Sequence, residues 1–198
     1  MKGTKALASL AIGLLLAGCA LVPAADPPMT ASLLDQVPAD VPRRAATGAT
    51  LLVLPPLARP AIDSTQMAYT LRPHHLAYFA QNQWAETPPQ MLQPLLVRTL
   101  EATGAFRAVL TTSPTGSDTL ALQTEIVDLV QDFSSEPPVL RFSLRARLAN
   151  DSRALATKEI TVRETMQQKT PYAGVVAANA AVAQALRQLA GFVLENVR

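Results

Sequence analysis

The stretch Val139–Leu148, VLRFSLRARL, sets Leu140, Phe142, Leu144, Ala146 and Leu148 in strict alternation with Arg141, Ser143, Arg145 and Arg147. Successive side chains on a strand point to opposite faces, so this pattern predicts a β-strand with one dry face and one facing water or a partner. In the preceding segment Leu120, Leu122, Thr124 and Ile126 share a face, and the phase slips by one around Asp128 and Leu129, as a β-bulge would make it. Ala156, Lys158, Ile160 and Val162 repeat the alternation more weakly after a turn at Asn150-Asp151-Ser152. Three consecutive strands with short connections predict an antiparallel meander. Its dry face has to be covered by other elements.

Two segments have the helical period to cover it. Thr87-Pro88-Pro89-Gln90 is laid out as a helix start, with Thr as N-cap, proline at the first helical position and glutamine placed to close a capping box. The helix should run over about 88–103, with Leu92, Leu95, Leu96, Thr99 and Leu100 on its buried face and Gly104 as its stop. Pro94 cannot donate to the carbonyl of Gln90, which predicts a kink or a later effective start. A second helix over 172–197 carries the stripe Val175, Asn179, Val182, Leu186, Leu189, Val193 and Val197, flanked by alanines that let it lie close to a sheet.

The apolar run Ala49–Leu57, stopped by Pro55 and Pro56, reads as a buried strand. QMAYTL and HLAYFAQNQW, to either side of Arg72-Pro73-His74, read as a hairpin or neighbouring strands. AFRAVL after Gly104 is a further strand candidate, and TTSPTGSD a loop. The expected fold is α/β, of the α+β type: a mainly antiparallel or mixed sheet covered by two main helices, forming one globular domain over 49–198.

The N-terminus is organised differently. Met1–Lys5 is positive, Ala6–Ala17 is apolar and too short to span a bilayer comfortably, and Leu16-Ala17-Gly18-Cys19 follows, so residues 1–18 read as a secretory signal to be removed. Two of the chain's 17 basic side chains, Lys2 and Lys5, lie in that leader and none of its 15 acids does, leaving 15 against 15. The mature domain therefore has no charge excess to support nucleic-acid binding. Leu-Ala-Gly-Cys resembles the bacterial lipobox, in which the cysteine thiol receives diacylglycerol and the exposed amine is then acylated. By that resemblance Cys19 is the lipidation site, and Ala20, where aspartate would favour the inner membrane, points to the outer one. Residues 19–48 contain Pro23, Pro27, Pro28, Pro38 and Pro42 and read as a lipidated tether, with TASLLDQ, near 30–36, as a short ordered element of either kind.

Catalytic chemistry has little to work with. His74 and His75 are adjacent beside a proline and poorly placed to share a metal. There is no H-E-x-x-H, G-x-S-x-G or glycine-rich phosphate loop, and Cys19 has no second cysteine with which to form a disulfide. Asp128 and Asp132 read as solvated carboxylates rather than an acid and base pair. No catalytic residue, metal site or cofactor is expected apart from the acyl groups on Cys19. Tyr78, Phe79 and Trp84 form the one aromatic concentration, to be used in core packing or as an interaction patch rimmed by Asn82 and Gln83.

Taken together, the lipobox at Cys19, the block Leu51–Leu110 and the closing YAGVVAANAAVAQAL from Tyr172 resemble the ABC-type transport auxiliary lipoprotein component family, which includes the paraquat-inducible protein C-like lipoproteins. Within the block the resemblance rests on Ile62-Asp63-Ser64, Met67-Ala68-Tyr69, Trp84-Ala85-Glu86, Gly104-Ala105-Phe106 and Val109. It implies an α/β fold and a non-enzymatic outer-membrane lipoprotein facing the periplasm. It also implies partners: an ABC permease and ATPase and a substrate-binding protein of the mammalian-cell-entry type, which together move lipids or other hydrophobic compounds between membranes. A lipid-carrying domain sheltering an acyl chain between sheet and terminal helix, or a structural envelope lipoprotein, are the alternatives, and a homo-oligomer stays open.

Overall fold

A computed structural model describes residues 28–112, 119–150 and 153–197. The leader, the lipobox, Cys19 and the turn residues Asp151 and Ser152 lie outside them. The expected meander is present: β7 (Thr119–Asp132), β8 (Val139–Asn150) and β9 (Arg153–Thr165) pair antiparallel along nearly their full lengths. The register of β7 against β8 shifts between Ile126 and Asp128, so the buried face passes from Leu122 and Ile126 to Leu129 and Gln131. That one extra residue is the predicted bulge.

The other edge of β7 is shared by three strands placed end to end. Parallel to it run β2 (Thr50–Val53), then β3 (Leu57–Ala58), then β4 (Gln66–Thr70). β2 continues outward to the parallel strand β6 (Ala108–Leu110), and β4 to the antiparallel β5 (Ala77–Trp84). A mixed, nine-stranded sheet results, forked around one long strand. The expected hairpin of QMAYTL and HLAYFAQNQW is thus β4 and β5, with its own register shift after Gln66. β2 is buried at every position, as the apolar run from Ala49 predicts.

Helices α1 (Pro88–Glu101) and α2 (Pro171–Asn196) cover the dry face of the sheet and touch each other. α1 begins at Pro88, and Gln90 Oε1 accepts from the Thr87 backbone N–H at 3.0 Å. Its start is not delayed by Pro94. That proline lies on the exposed side of an unbroken helix, where the carbonyl its ring leaves without a donor, that of Gln90, is open to water. α2 starts one residue earlier than expected, again with a threonine N-cap and a proline at the first helical position: here Thr170 Oγ1 accepts from the Ala173 N–H at 3.2 Å and Pro171 follows. Ala178, Ala181, Val182, Ala185, Leu186 and Leu189 have no exposure between helix and sheet. Each leucine buried in this way stabilises the fold by roughly 1.5–3 kcal/mol. Gly174 faces the Gln131 side chain so closely that a Cβ would collide with it, which lets the first turn of α2 settle onto β7.

Within residues 28–48 the short ordered element expected near 30–36 is present as a strand, and the rest departs from expectation. Where the sequence reads as a leash, the structure places a strap on the body. Thr30–Ser32 form β1, parallel to the end of β5, and Leu34 and Pro38 are buried. Asn179 Nδ2 donates to the Leu33 carbonyl at 3.0 Å, and Asn179 Oδ1 accepts from the Asp35 and Gln36 N–H groups at 2.9 and 3.1 Å. Further along, Arg44 Nη1 donates to the Leu194 and Val197 carbonyls at 2.7 and 2.8 Å. The last turn of α2 has no basic residue of its own, so Arg44 supplies the cation that its C-terminal carbonyls favour. Proline content misled here because proline suits any extended segment, bound or free.

Candidate functional site

The three aromatic candidates do not form one surface. Trp84 is 3% exposed and belongs to the core, which overturns its place in an interaction patch. Tyr78 is half-buried on β5, with its hydroxyl donating to the Ala61 carbonyl at 3.1 Å. Phe79 points the other way. It packs against Tyr69 with ring centroids 4.5 Å apart and against Phe133 at 6.3 Å, edge-on. That trio ties the fork of β4 and β5 to the end of β7.

Two of the three arginines on this face of β8, Arg141 and Arg145, are answered from within the sheet. Arg145 lies between Glu125 and Glu159, directly opposite on its two neighbours, at 2.9 and 3.2 Å. Arg141 bonds Asp128 through Nε at 3.0 Å and Asp132 through Nη1 at 2.7 Å, and Arg59 adds a longer contact to Asp128. Burial alone would raise the Asp132 carboxyl. The hydroxyl and backbone N–H of Ser134, together with Arg141, outweigh it and hold the group below its ordinary range. A carboxylate held ionised by these partners is a poor general base. The two aspartates are therefore not the solvated groups expected but cross-strand ties.

His74 and His75 sit exposed in the turn before β5, as expected from the neighbouring proline, and His74 has a positive φ of 62°. Among the described residues no group of three or more histidine, cysteine, aspartate or glutamate side chains is placed to hold a metal. An open, largely polar cleft of about 840 Å³ lies at the C-terminal end of α2, lined by Arg107, Asn150, Arg153, Leu155 and Glu195. A second groove of about 460 Å³ lies at the other end of α2, between its first two turns and the strap. Among the described residues no helix is long and apolar enough to cross a membrane.

The model of the ABC-type transport auxiliary lipoprotein component family matches residues 32–190. The chain belongs to that family. The match begins at the end of β1 and ends in α2, so it takes in most of the strap together with the body. Protein XCC0632 from Xanthomonas campestris, a DUF330-family protein, is similar in structure, with a TM-score of 0.71 at 24% identity over 85% of this chain and 95% of its own. An uncharacterised protein gives 0.69 at 14% identity over 84% and 99%, and a hypothetical protein from Chlamydia trachomatis 0.52 at 11% over 76% and 98%. At these identities the likeness is one of fold. No match by sequence emerges among functionally curated proteins. The family makes this chain an auxiliary lipoprotein component of an ABC-type transport system.

The strap contacts were missed by sequence reasoning. Asn179 is the one amide in the stripe of α2, and its side chain must bond to something once half-buried. That anomaly was the available signal. For Arg44 there was none, because the carbonyls it meets lie some 150 residues away.

Proposed function

We propose that this family member is a non-enzymatic, lipid-anchored periplasmic component of a mammalian-cell-entry-linked ABC system that moves lipids or other hydrophobic compounds between membranes. Diacylglycerol and N-acyl groups on Cys19 hold it to the outer membrane, facing the periplasm. The observation that carries this reading is the coincidence in one chain of the family domain over 32–190 with a lipobox-like Leu16-Ala17-Gly18-Cys19 directly upstream. The folded domain then docks on the transport complex, and its work is recognition. The carrier alternative is disfavoured by the packing under α2, since an acyl chain there would have to displace the fully buried Ala178, Val182, Leu186 and Leu189.

Two measurements test the reading. Cys19→Ser should abolish fatty-acid labelling and cause uncleaved precursor to accumulate; undiminished labelling would remove the anchor. Affinity purification of the lipidated chain from envelopes should bring down a mammalian-cell-entry protein with its permease and ATPase. Isolation of the chain with none of these, under conditions that keep such complexes intact, would reject the assignment.

A further inference from the structure

Met29, Leu33, Tyr172 and Val176 are 58%, 51%, 74% and 54% exposed, and they make up four of the seven large apolar side chains exposed among the described residues. Leu33, Tyr172 and Val176 line the groove of about 460 Å³ at the start of α2. Met29 lies four residues back along the same strap, at the point where the described chain begins. The patch is built from two distant parts of the sequence, and Asn179 fixes their relation by bonding the backbone of Leu33, Asp35 and Gln36. It is therefore a preformed surface, with its apolar groups already held outward.

We propose that this patch rests in the interfacial layer of the bilayer that holds the acyl groups of Cys19, so that the lipoprotein stands on its membrane in one orientation. The inference relies on the anchor proposed above. Because the strap is fastened to the body, only residues 20–28 separate Cys19 from Met29, and the two Cα atoms are at most about 35 Å apart even with the chain fully drawn out. A leash over the whole of 19–48 would allow roughly three times that reach. The short span ends beside the patch, so the end of the molecule richest in exposed apolar side chains is the end kept nearest the lipid. An exposed tyrosine beside aliphatic side chains suits the headgroup boundary.

Asp35 is the one charged side chain lining the groove, and no basic residue lines it. Contact should therefore depend on apolar burial rather than on anionic lipid. A second copy of the chain is a poorer occupant. Four partly exposed side chains offer on the order of a few hundred Å², below the roughly 800 Å² per partner of a standard stable interface.

The full lipidated chain tests this, because acylation of Cys19 leaves an introduced cysteine as its only free thiol. Val176→Cys and Glu101→Cys would each be labelled with an environment-sensitive fluorophore in vesicles of phosphatidylethanolamine and phosphatidylcholine. Glu101 is exposed at the far end of α1, a helix about 20 Å long that starts just after β5 meets β1. The label at 176 should be blue-shifted and quenched severalfold more by doxyl-labelled lipids than the label at 101, with little change when salt or anionic lipid is added. Equal, weak quenching at both positions in protein that still floats with the vesicles would overturn the membrane contact and leave the anchor standing. A blue shift at 176 without lipid quenching, growing with protein density, would instead assign the patch to a second copy. Failure of the acylated preparation to float would reject the anchor itself, and the proposal with it.

Discussion

The C-terminal helix α2 and the strap at residues 28–48 both lie on the body of the protein, and they are held there by opposite means. α2 buries a broad apolar face, with fourteen of its residues shielded from water. The strap buries little beyond Leu34 and Pro38 and is fastened at separate points by Asn179, Arg44 and Arg187. Packing energy accumulates with area, whereas hydrogen bonds to groups that water could also satisfy contribute modestly. The helix should thus open only with the global fold, and the strap should be able to loosen while the meander stays intact.

Leu186→Ala probes the packed side of this contrast. Leu186 is fully buried between α2 and the sheet, so truncation should cost about 2–5 kcal/mol through lost transfer energy and the cavity left behind. Urea denaturation should show a lower midpoint with every probe moving together. If strap and meander unfolded at different urea concentrations in the wild type, the body and strap would not be one cooperative unit even at equilibrium.

Asn179→Ala acts next on the strap. It removes an acceptor for the Asp35 and Gln36 N–H groups and the donor to the Leu33 carbonyl, at an expected loss of about 1–2 kcal/mol, offset slightly by the better helix propensity of alanine. The signature is local: faster hydrogen exchange at Asp35 and Gln36 with unchanged protection in β8. Arg44→Ala should follow at about 1 kcal/mol, since two charge-assisted bonds to the end of α2 disappear from a partly buried site. Its effect should be confined to exchange near Leu194–Val197 and residues 43–48.

The same difference explains what could be read from the sequence. Alternation in VLRFSLRARL, the phase slip near Asp128 and the stripe of α2 are local records of one buried face, so the meander, its bulge and both helices were legible. The order in which β2, β3 and β4 share the edge of β7 was not, because parallel pairing between distant segments leaves no local period. The aromatic cluster left two uses open, core packing or a patch, for a related reason: Tyr78, Phe79 and Trp84 are close in sequence, but only tertiary packing places Trp84 in the core and Phe79 against Tyr69 and Phe133. For the strap, the informative residues sit on α2, so composition alone suggested a leash.

The meander has its own polar tie, and pH separates it from the strap. Asp132 is held below its ordinary value near 3.8, so its contribution is complete above that value and is lost as pH falls through the lower folded-state value. Stability of the wild type should decline as the medium is acidified below about pH 4, and Asp132→Asn should flatten part of that decline while lowering stability at neutral pH. Strap exchange at neutral pH should not respond to this substitution, since Asp132 bonds Ser134 and Arg141 and none of the strap residues.

The smallest effect is expected where a contact list would look most persuasive. Arg187 Nη1 meets Asp40 Oδ2 at 2.6 Å, a short ion pair joining α2 to the strap. Its side chains are 51% and 76% exposed, so water screens the pair and each long side chain loses rotamer freedom in forming it. Arg187→Ala should therefore change stability by no more than about 0.5 kcal/mol. Exchange at Asp35 and Gln36 should stay near wild type because Asn179 holds that stretch independently. A loss as large as that of Asn179→Ala would mean that the strap fastenings act as one cooperative clasp. The double variant Asn179→Ala with Arg187→Ala decides between these readings: near-additive losses indicate separate points of attachment, and a strongly non-additive result indicates the clasp.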